Sequence, residues 1–477
     1  MVQGRADQAV KRLRELLCAE PGHAGAWALL GFACRDEQQM PDAIAAFARA
    51  QELDRANPLT AAALAQTRLE SGLAAVDDCR RALALSPGRE PLIASLAAAL
   101  VAEGERGAAE ALLADALARR ADWIEGQRTL ATIRWTSGDR AGYARGYADG
   151  CRLQPQNLAL RLGWFRLVAQ VRDWPAARAI LDDGERLFGP QRAIVIARLF
   201  IAAESGVRAE AEELFERTRD WRDEVRDLAW IRHCLRERRP AEAADIALGL
   251  TRTPSARLAW PYLSLIWRLL DDPRAKWLDG SPPYVRAFDV QLERSHLEEL
   301  AELLRRLHTA RAPYVEQSVR GGTQTERPLF FRTEPILQLV RGRILDKLRE
   351  YVASLPPFEA GHPLLGTPRT QLLFSGSWSV RLLSGGFNVA HTHPLGWISS
   401  AFYVSLPEPA QMGAKPAGWI QFGEAPPELG LDLPPIAEVE PRAGRLVLFP
   451  ATMWHATVPF NDGERLALAF DVRSPAH

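Results

Sequence analysis

The sequence predicts two kinds of structure in one chain: an all-α solenoid of helical repeats, then a double-stranded β-helix, or jelly roll, with flanking helices. Three observations predict this: a period near 34 residues in the N-terminal half, a series of short β-rich segments near the C-terminus, and a change of composition between them. The chain has 477 residues, 47% of them hydrophobic, which is enough for roughly two to four domains with their own cores.

The period is carried by one position in each repeat, which holds Ala in six of seven repeats. The successive intervals are 34, 32, 34, 34, 34 and 34 residues, for Ala9, Ala43, Ala75, Ala109, Tyr143, Ala177 and Ala211. A larger side chain follows four residues later, at Leu13, Phe47, Cys79, Leu113, Tyr147, Leu181 and Phe215. Each period predicts a pair of amphipathic helices. The small residue lets two helices approach closely, and the larger side chain four residues later can pack against the following pair.

The unit at 24–57 carries the most specific pattern. Upstream of Ala43 it places Trp27, Leu30, Gly31 and Cys34, and Pro21, Pro87 and Pro155 fall near the ends of units. These positions resemble the W, LG, A, F and P positions of the tetratricopeptide repeat, and Pro240–Leu250 fits one further degenerate unit. The resemblance implies a groove for a peptide or protein partner, although such arrays also serve as scaffolds. A non-repetitive helical bundle is the structural alternative.

The repeat fades after Ser255, and the composition changes again after Arg311. Apolar residues from Phe288 to Leu307 recur at helical spacing, RGGTQT at 320–325 is typical of a polar loop, and Ile336–Tyr351 predicts one more helix. We therefore expect three parts: a solenoid at 1–255, a helical connector at 256–310 and a jelly-roll domain at 311–477.

Beyond Gln371, short segments rich in β-branched and aromatic residues alternate with Gly and Pro. They are Ser377–Leu383, Gly386–Ala390, Trp397–Leu406, Trp419–Phe422, Arg445–Phe449, Met453–Phe460 and Arg465–Val472. Strands at such spacing predict a β-sandwich or jelly roll, and the double-stranded β-helix is the version that carries metals in its mouth.

The composition argues against several classes of protein. With 59 basic and 59 acidic residues the chain lacks the basic excess needed to coat nucleic acid or an anionic membrane, so neither partner is expected. The start of the chain lacks the features of a secretory signal and no long apolar run follows, so we expect a cytoplasmic location.

Five scattered Cys without a CxxC spacing predict buried free thiols, not a disulfide framework or a thiolate zinc site.

Three histidines belong to the motifs of the β-rich region. His391 and His393 lie in AHTHP, and residues two apart on an extended strand point to the same face, so both can reach one metal. His455, in FPATMWHATVP, can supply a third ligand from a distant strand. Neutral imidazoles suit Fe(II), Zn(II), Cu(II) or Ni(II), so the ligand type alone does not select the metal. The alternative is a surface HTHP turn, with His455 stacked on Trp454.

Arg465 follows His455 by ten residues. If Met453–Phe460 and Arg465–Val472 form a hairpin, both side chains can point into one barrel. A guanidinium is suited to bidentate recognition of a carboxylate, and a cation in a mostly apolar strand is costly to bury without an anion. An exposed Arg on an edge strand is the alternative.

These residues resemble the Fe(II)- and 2-oxoglutarate-dependent dioxygenases, and more specifically a bacterial and phage branch of oxygenases with HxHP in place of HxD. The resemblance covers about 285–473. It implies that His391, His393 and His455 bind Fe(II), and that Arg465 binds the C5 carboxylate of the co-substrate 2-oxoglutarate. These four residues are then the catalytic set. O2 would oxidise the substrate while 2-oxoglutarate is converted to succinate and CO2.

Two departures from the family pattern matter. His393 replaces the usual carboxylate ligand, so the site is either three-His or two-His with water at the third position. The Ser commonly found two residues after the Arg is Ala467 here, and Tyr403 is a candidate replacement donor to the co-substrate or else an ordinary core residue. Candidates for the substrate side come from the RGGTQT loop and from the strand before HTHP: Arg320, Thr323, Gln324, Trp378 and Arg381.

The residues leave three functions open. The first is a dioxygenase that hydroxylates a peptide, a protein or a peptide-like metabolite. The second is a cupin-type three-His dioxygenase that uses no 2-oxo acid, which leaves Arg465 unexplained. The third is a non-catalytic adaptor in which the repeats bind a partner and the barrel is degenerate, and the missing carboxylate ligand keeps it open.

Overall fold

The structure is a computed structural model that describes residues 6–315 and 317–473. It divides into two compact units. One extends to Leu160 and includes Arg327–Leu339, and the other comprises Arg161–Glu326 and the chain from Val340 onwards. The domain boundaries expected at 255 and 310 stay a prediction. Within the described ranges, every helix is too short or too polar to cross a membrane.

Helices dominate the chain as far as residue 279. In order they are α1 (Ala6–Ala19), α2 (Ala24–Asp36), α3 (Met40–Leu53), α4 (Pro58–Glu70), α5 (Val76–Leu85), α6 (Glu90–Ala102), α7 (Arg106–Arg119), α8 (Ile124–Ser137), α9 (Arg145–Leu153), α10 (Leu158–Gln170), α11 (Trp174–Phe188), α12 (Arg192–Ser205), α13 (Arg208–Arg217), α14 (Glu224–Arg236), α15 (Pro240–Leu250), α16 (Ala256–Leu269), α17 (Arg274–Asp279), α18 (Arg294–Leu307), α19 (Pro335–Ser354) and α20 (Pro409–Met412).

The repeat positions form the contacts between consecutive helices. Ala43 and Ala109 in the first unit, and Ala177 and Ala211 in the second, are completely buried. A Cβ atom added to Gly31 of α2 would lie 2.6 Å from the Phe47 ring of α3, so glycine is needed for this close helix approach. These features confirm the predicted helical repeats.

Among the residues that the structure describes, nine strands build the C-terminal part of the second unit. They are β1 (Arg286–Asp289), β2 (Val319–Gln324), β3 (Phe374–Asn388), β4 (Gly396–Ser405), β5 (Ile420–Phe422), β6 (Ala437–Val439), β7 (Arg445–Pro450), β8 (His455–Thr457) and β9 (Arg465–Arg473). One antiparallel sheet has the order β1-β7-β4-β9-β3-β2, and a second has the order β6-β5-β8. Tyr403 and Phe449 of the first sheet share a buried core with Phe422 of the second. The predicted fold class, helical repeats followed by an antiparallel β domain, is confirmed.

Several local predictions were wrong. The segment around Phe288 is strand β1 and not helix, because it pairs with β7. The RGGTQT segment is mostly strand β2, which pairs with β3 through a register shift at its glycines. The described strands also do not form the hairpin considered for Met453–Phe460 and Arg465–Val472: β8 pairs with β5 in the small sheet, whereas β9 lies between β3 and β4 in the large one. Of the five free thiols four are buried as expected, but Cys18 is exposed.

Candidate metal and co-substrate site

Two chain connections bring the three histidines together. The segment between β3 and β4 carries His391 and His393, and the turn between β7 and β8 leads into His455. His391 and His455 exchange backbone hydrogen bonds, N–H to O at 3.1 Å in both directions. The His393 N–H donates to the carbonyl of Ala451 in that turn at 2.8 Å. Backbone pairing therefore fixes the three Cα positions before any ligand is bound.

The imidazoles form a compact cluster. One ring nitrogen of each His lies within 4.8 Å of the corresponding atoms of the other two. The ring centroids of His391 and His455 are 4.1 Å apart, and that of His393 lies 5.0 Å and 5.1 Å from them. Trp378 stacks on the His393 ring at 5.4 Å with an interplanar angle of 7°. Three nitrogen donors at this separation suit a divalent transition metal.

The Nδ1 atom of every ring has an oxygen acceptor. His391 Nδ1 lies 2.8 Å from the Val389 carbonyl, and His455 Nδ1 lies 3.1 Å from the Met453 carbonyl. His393 Nδ1 lies 2.8 Å from Asp471 Oδ2. Since each Nδ1 carries the proton that it donates, each Nε2 presents a lone pair. In this tautomer the neutral ring can bind a metal through Nε2.

Burial keeps the rings of His391 and His455 neutral. Burial, with the neighbouring His393 acting in the same direction, lowers the pKa of His391 to about 3. Burial also holds the pKa of His455 well below its usual value, with both other imidazoles adding to the effect. A neutral imidazole is the form that binds metal, so the site is ready for a cation near neutral pH.

Arg465 is a buried cation with unused donors. Its side chain is 3% exposed, and its Nε and Nη1 atoms have no hydrogen-bond partner among the described residues. The guanidinium carbon lies 5.0 Å from the centre of the Tyr403 ring, whose buried hydroxyl also has no partner in the described chain. Burial lowers the pKa of Arg465, and the nearby phenol opposes this shift. Such an arrangement fits an incoming carboxylate.

A cavity of about 280 Å³ connects the two groups. It is lined by Gln317, Ser318, Gln324, Trp378, Val380, Leu382, Asn388, His391, Thr392, His393, Ser400, Ala401, Ile420, His455, Thr457, Arg465, Ala467 and Ala469. The lining thus contains the three histidines at one place and Arg465 at another. This donor set fits both a divalent metal and a small carboxylate ligand.

The structure brings only some of the predicted substrate residues to this cavity. Gln324 and Trp378 line it. Arg320, Thr323 and Arg381 are absent from the lining and have other contacts: Arg320 donates to the Gln317 and Val319 carbonyls, Thr323 lies 2.8 Å from His308, and Arg381 pairs with Glu464.

Sequence reasoning missed three residues near the histidines. Ser318 Oγ lies 3.2 Å from His391 Nε2, and Asn388 places a buried Oδ1 without a described partner at the cavity. Neither had a signal in the sequence. Asp471 had one, because it follows Arg465 by six residues on the same strand and an even spacing places both on one face.

Comparisons with known proteins agree with this arrangement. Residues 376–471 match a family model described as "Putative 2OG-Fe(II) oxygenase", and residues 2–67 match a tetratricopeptide-repeat model. A search among curated proteins gave no match.

Three solved structures illustrate the structural similarities. A prolyl-4-hydroxylase from Pseudomonas putida is 20% identical, over 40% of this chain and 93% of its own, with a TM-score of 0.27. HygX from Streptomyces hygroscopicus, solved with nickel and 2-oxoglutarate, is 12% identical, over 40% and 82%, with a TM-score of 0.27. A tetratricopeptide repeat protein from Parabacteroides merdae is 16% identical, over 47% and 91%, with a TM-score of 0.30. The chain thus has an N-terminal segment that matches the tetratricopeptide-repeat model and a C-terminal segment that matches the model of the 2OG-Fe(II) oxygenase family.

Proposed function

We propose that the protein is an Fe(II)- and 2-oxoglutarate-dependent dioxygenase that hydroxylates a peptide, a protein or a peptide-like substrate. The single observation that carries the proposal is the buried Arg465, whose Nε and Nη1 atoms have no described partner, in the same cavity as three clustered imidazoles. A metal site alone would not need this cation. Burial of the guanidinium costs free energy in the ligand-free protein, and a bound carboxylate ligand would offset that cost.

His391, His393 and His455 would hold the iron. When bound, iron with 2-oxoglutarate and O2 supplies the oxidising chemistry that converts the co-substrate to succinate and CO2 and hydroxylates a C–H bond. The protein's contribution is to keep the three Nε2 lone pairs pointing at one place, through the Nδ1 hydrogen bonds to Val389, Asp471 and Met453.

Arg465 would bind the distal carboxylate of 2-oxoglutarate. Tyr403 supports this role, because it pairs in register with Ala467, the position at which the family commonly has Ser. Its hydroxyl is buried beside the guanidinium and has no other described partner, so it can replace the missing Ser hydroxyl. The phenol would stay protonated and donate, since burial raises its pKa.

The substrate would approach the cavity beside Gln324 and Trp378, which line it. The Gln324 amide and the Trp378 indole would contact the substrate. Arg320, Thr323 and Arg381 would have to leave their present contacts to reach a substrate. The repeats would bind the peptide or protein partner, as the tetratricopeptide match supports.

Anaerobic calorimetry tests this function. The protein is titrated with Fe(II) and then with 2-oxoglutarate, and the succinate formed after admission of O2 is measured. We expect binding of both, and an Arg465→Ala variant that keeps Fe(II) and loses 2-oxoglutarate. Iron binding without 2-oxoglutarate binding in the parent protein would instead indicate the cupin-type reaction, and absence of metal binding the adaptor. Unchanged iron affinity in His393→Ala would reduce the site to two histidines.

A further inference from the structure

The carboxylate of Asp471 is hydrogen-bonded to one of the three histidines, His393. Asp471 lies on β9, six residues after Arg465, and its Oδ2 atom is 2.8 Å from His393 Nδ1. In the strand register Asp471 is opposite Ser399 of β4 and Gly376 of β3, so it is held from both sides in the middle of the large sheet. Its residue is 8% exposed. A carboxylate is costly to bury unless it is hydrogen-bonded, so its contact with His393 is the feature that can offset the cost.

The backbone around His393 makes room for this carboxylate. The N–H of Gly396 donates to the His393 carbonyl at 2.9 Å, which closes the turn that leads into β4. A Cβ atom added to Gly396 would lie 3.2 Å from Asp471 Cβ and 3.1 Å from Ala451 Cβ. The turn after His393 therefore packs closely against Asp471, which fixes the carboxylate relative to the imidazole.

His393 differs from the other two histidines in the charge of its partner. The Nδ1 atoms of His391 and His455 donate to neutral backbone carbonyls, whereas that of His393 donates to a carboxylate. The second oxygen of that carboxylate, Oδ1, is buried without a hydrogen-bond partner in the described chain. A carboxylate that accepts from a ligating imidazole fixes the ring and raises its basicity toward a metal.

We propose that Asp471 is a positioning residue that supplies, through His393, the negative charge that a carboxylate ligand provides in a two-His-one-carboxylate site. The inference rests on the proposed three-His metal site. A divalent metal plus one carboxylate gives the same formal charge in both arrangements, and here the carboxylate is one imidazole further from the metal. His393 is thereby the strongest of the three ligands.

The test is a double-mutant cycle on metal binding. Anaerobic Fe(II) titrations, repeated with Co(II), compare the parent protein, Asp471→Asn, His393→Ala and the double variant. Asparagine keeps the size of the side chain and an acceptor oxygen but removes the charge, and Asp471→Ser is a second variant with the same loss of charge. Ser399→Ala is the matched control, since Ser399 lies opposite Asp471, is buried and makes no described side-chain hydrogen bond.

We expect Asp471→Asn to weaken metal binding by roughly 10- to 100-fold and to shift the ligand-field absorption of bound Co(II). The control should bind like the parent, and in the His393→Ala background the Asn substitution should change the affinity less than about twofold, because the path to the metal is gone. Thermal unfolding without metal establishes that each variant folds.

Two results would overturn the inference while leaving the metal site intact: parent-like affinity in both Asp471 variants, or an equal loss on Asp471→Asn with and without His393. A parent protein that binds neither metal would instead refute the three-His site on which the inference rests, so the two failures can be told apart.

Discussion

The unpaired guanidinium of Arg465 should make the ligand-free protein less stable than it could be. Two buried donors, Nε and Nη1, have no partner in the described chain. A buried polar group left unsatisfied costs about 1–3 kcal/mol, and replacement of buried ionic groups by apolar residues of similar size often stabilises by about 1–4 kcal/mol. We therefore expect Arg465→Met to raise the free energy of unfolding by about 2–4 kcal/mol, through loss of the desolvation cost.

The assay is urea unfolding of parent and variant, each with and without Fe(II) plus 2-oxoglutarate. The parent should gain stability from the two ligands together, whereas Arg465→Met should gain from Fe(II) only. Arg232→Met is the matched control with the opposite sign. Arg232 donates to both carboxylate oxygens of the buried Glu204 at 2.6 Å and 2.8 Å, so its loss should destabilise by about 1–3 kcal/mol.

If Arg465→Met is less stable than the parent in the absence of ligands, burial of the guanidinium does not destabilise the free protein. Such a result would mean that Arg465 already has a favourable partner in the free protein. Parent-like stabilisation of this variant by 2-oxoglutarate would likewise show that the co-substrate is bound elsewhere.

Three further predictions concern stability. Burial raises the pKa of Asp279 to about 6, so the folded protein should lose about 3 kcal/mol as the pH rises from about 4 to above 6, and Asp279→Asn should remove this dependence in unfolding measured across that range. Trp454 donates from Nε1 to the Pro261 carbonyl at 2.9 Å, so Trp454→Phe should cost about 1 kcal/mol by urea unfolding, and an unchanged midpoint would contradict it. Gly31→Ala should destabilise the protein by about 1–3 kcal/mol through its clash with Phe47 and so lower the melting temperature, and a parent-like melting curve would show that the ring can move aside.

The local pattern of the sequence predicted the helices and strands better than it predicted which strands pair with each other. The helical period required only spacing, and Pro240–Leu250 is a helix with the expected bounds. Strand pairing depends on distant segments, so the sequence alone did not reveal that β8 joins β5 or that Arg286–Asp289 pairs with β7. The glycine-rich 320–325 segment resembled a loop because its strand character comes mainly from pairing with β3.

The candidate site shows the same division. The HxH spacing and the Arg ten residues after His455 were local signals, and the structure places these four residues around one cavity. The sequence could also have indicated Asp471, because alternate residues of β9 lie on one face and Asp471 follows Arg465 by six residues. Its contact with His393, however, depends on the three-dimensional path of the segment before β4. Ser318 and Asn388 reach the cavity by tertiary packing alone.

In the proposed enzyme, a metal held by three imidazoles and a carboxylate held by Arg465 occupy one cavity. The most direct test of this arrangement is visible spectroscopy of the anaerobic Fe(II) protein during titration with 2-oxoglutarate, in parent and Arg465→Met. We predict a metal-to-ligand absorption band that saturates in the parent and is absent in the variant at the same co-substrate concentration. A parent protein that binds Fe(II) but develops no such band, or a variant whose band saturates like that of the parent, would contradict the account.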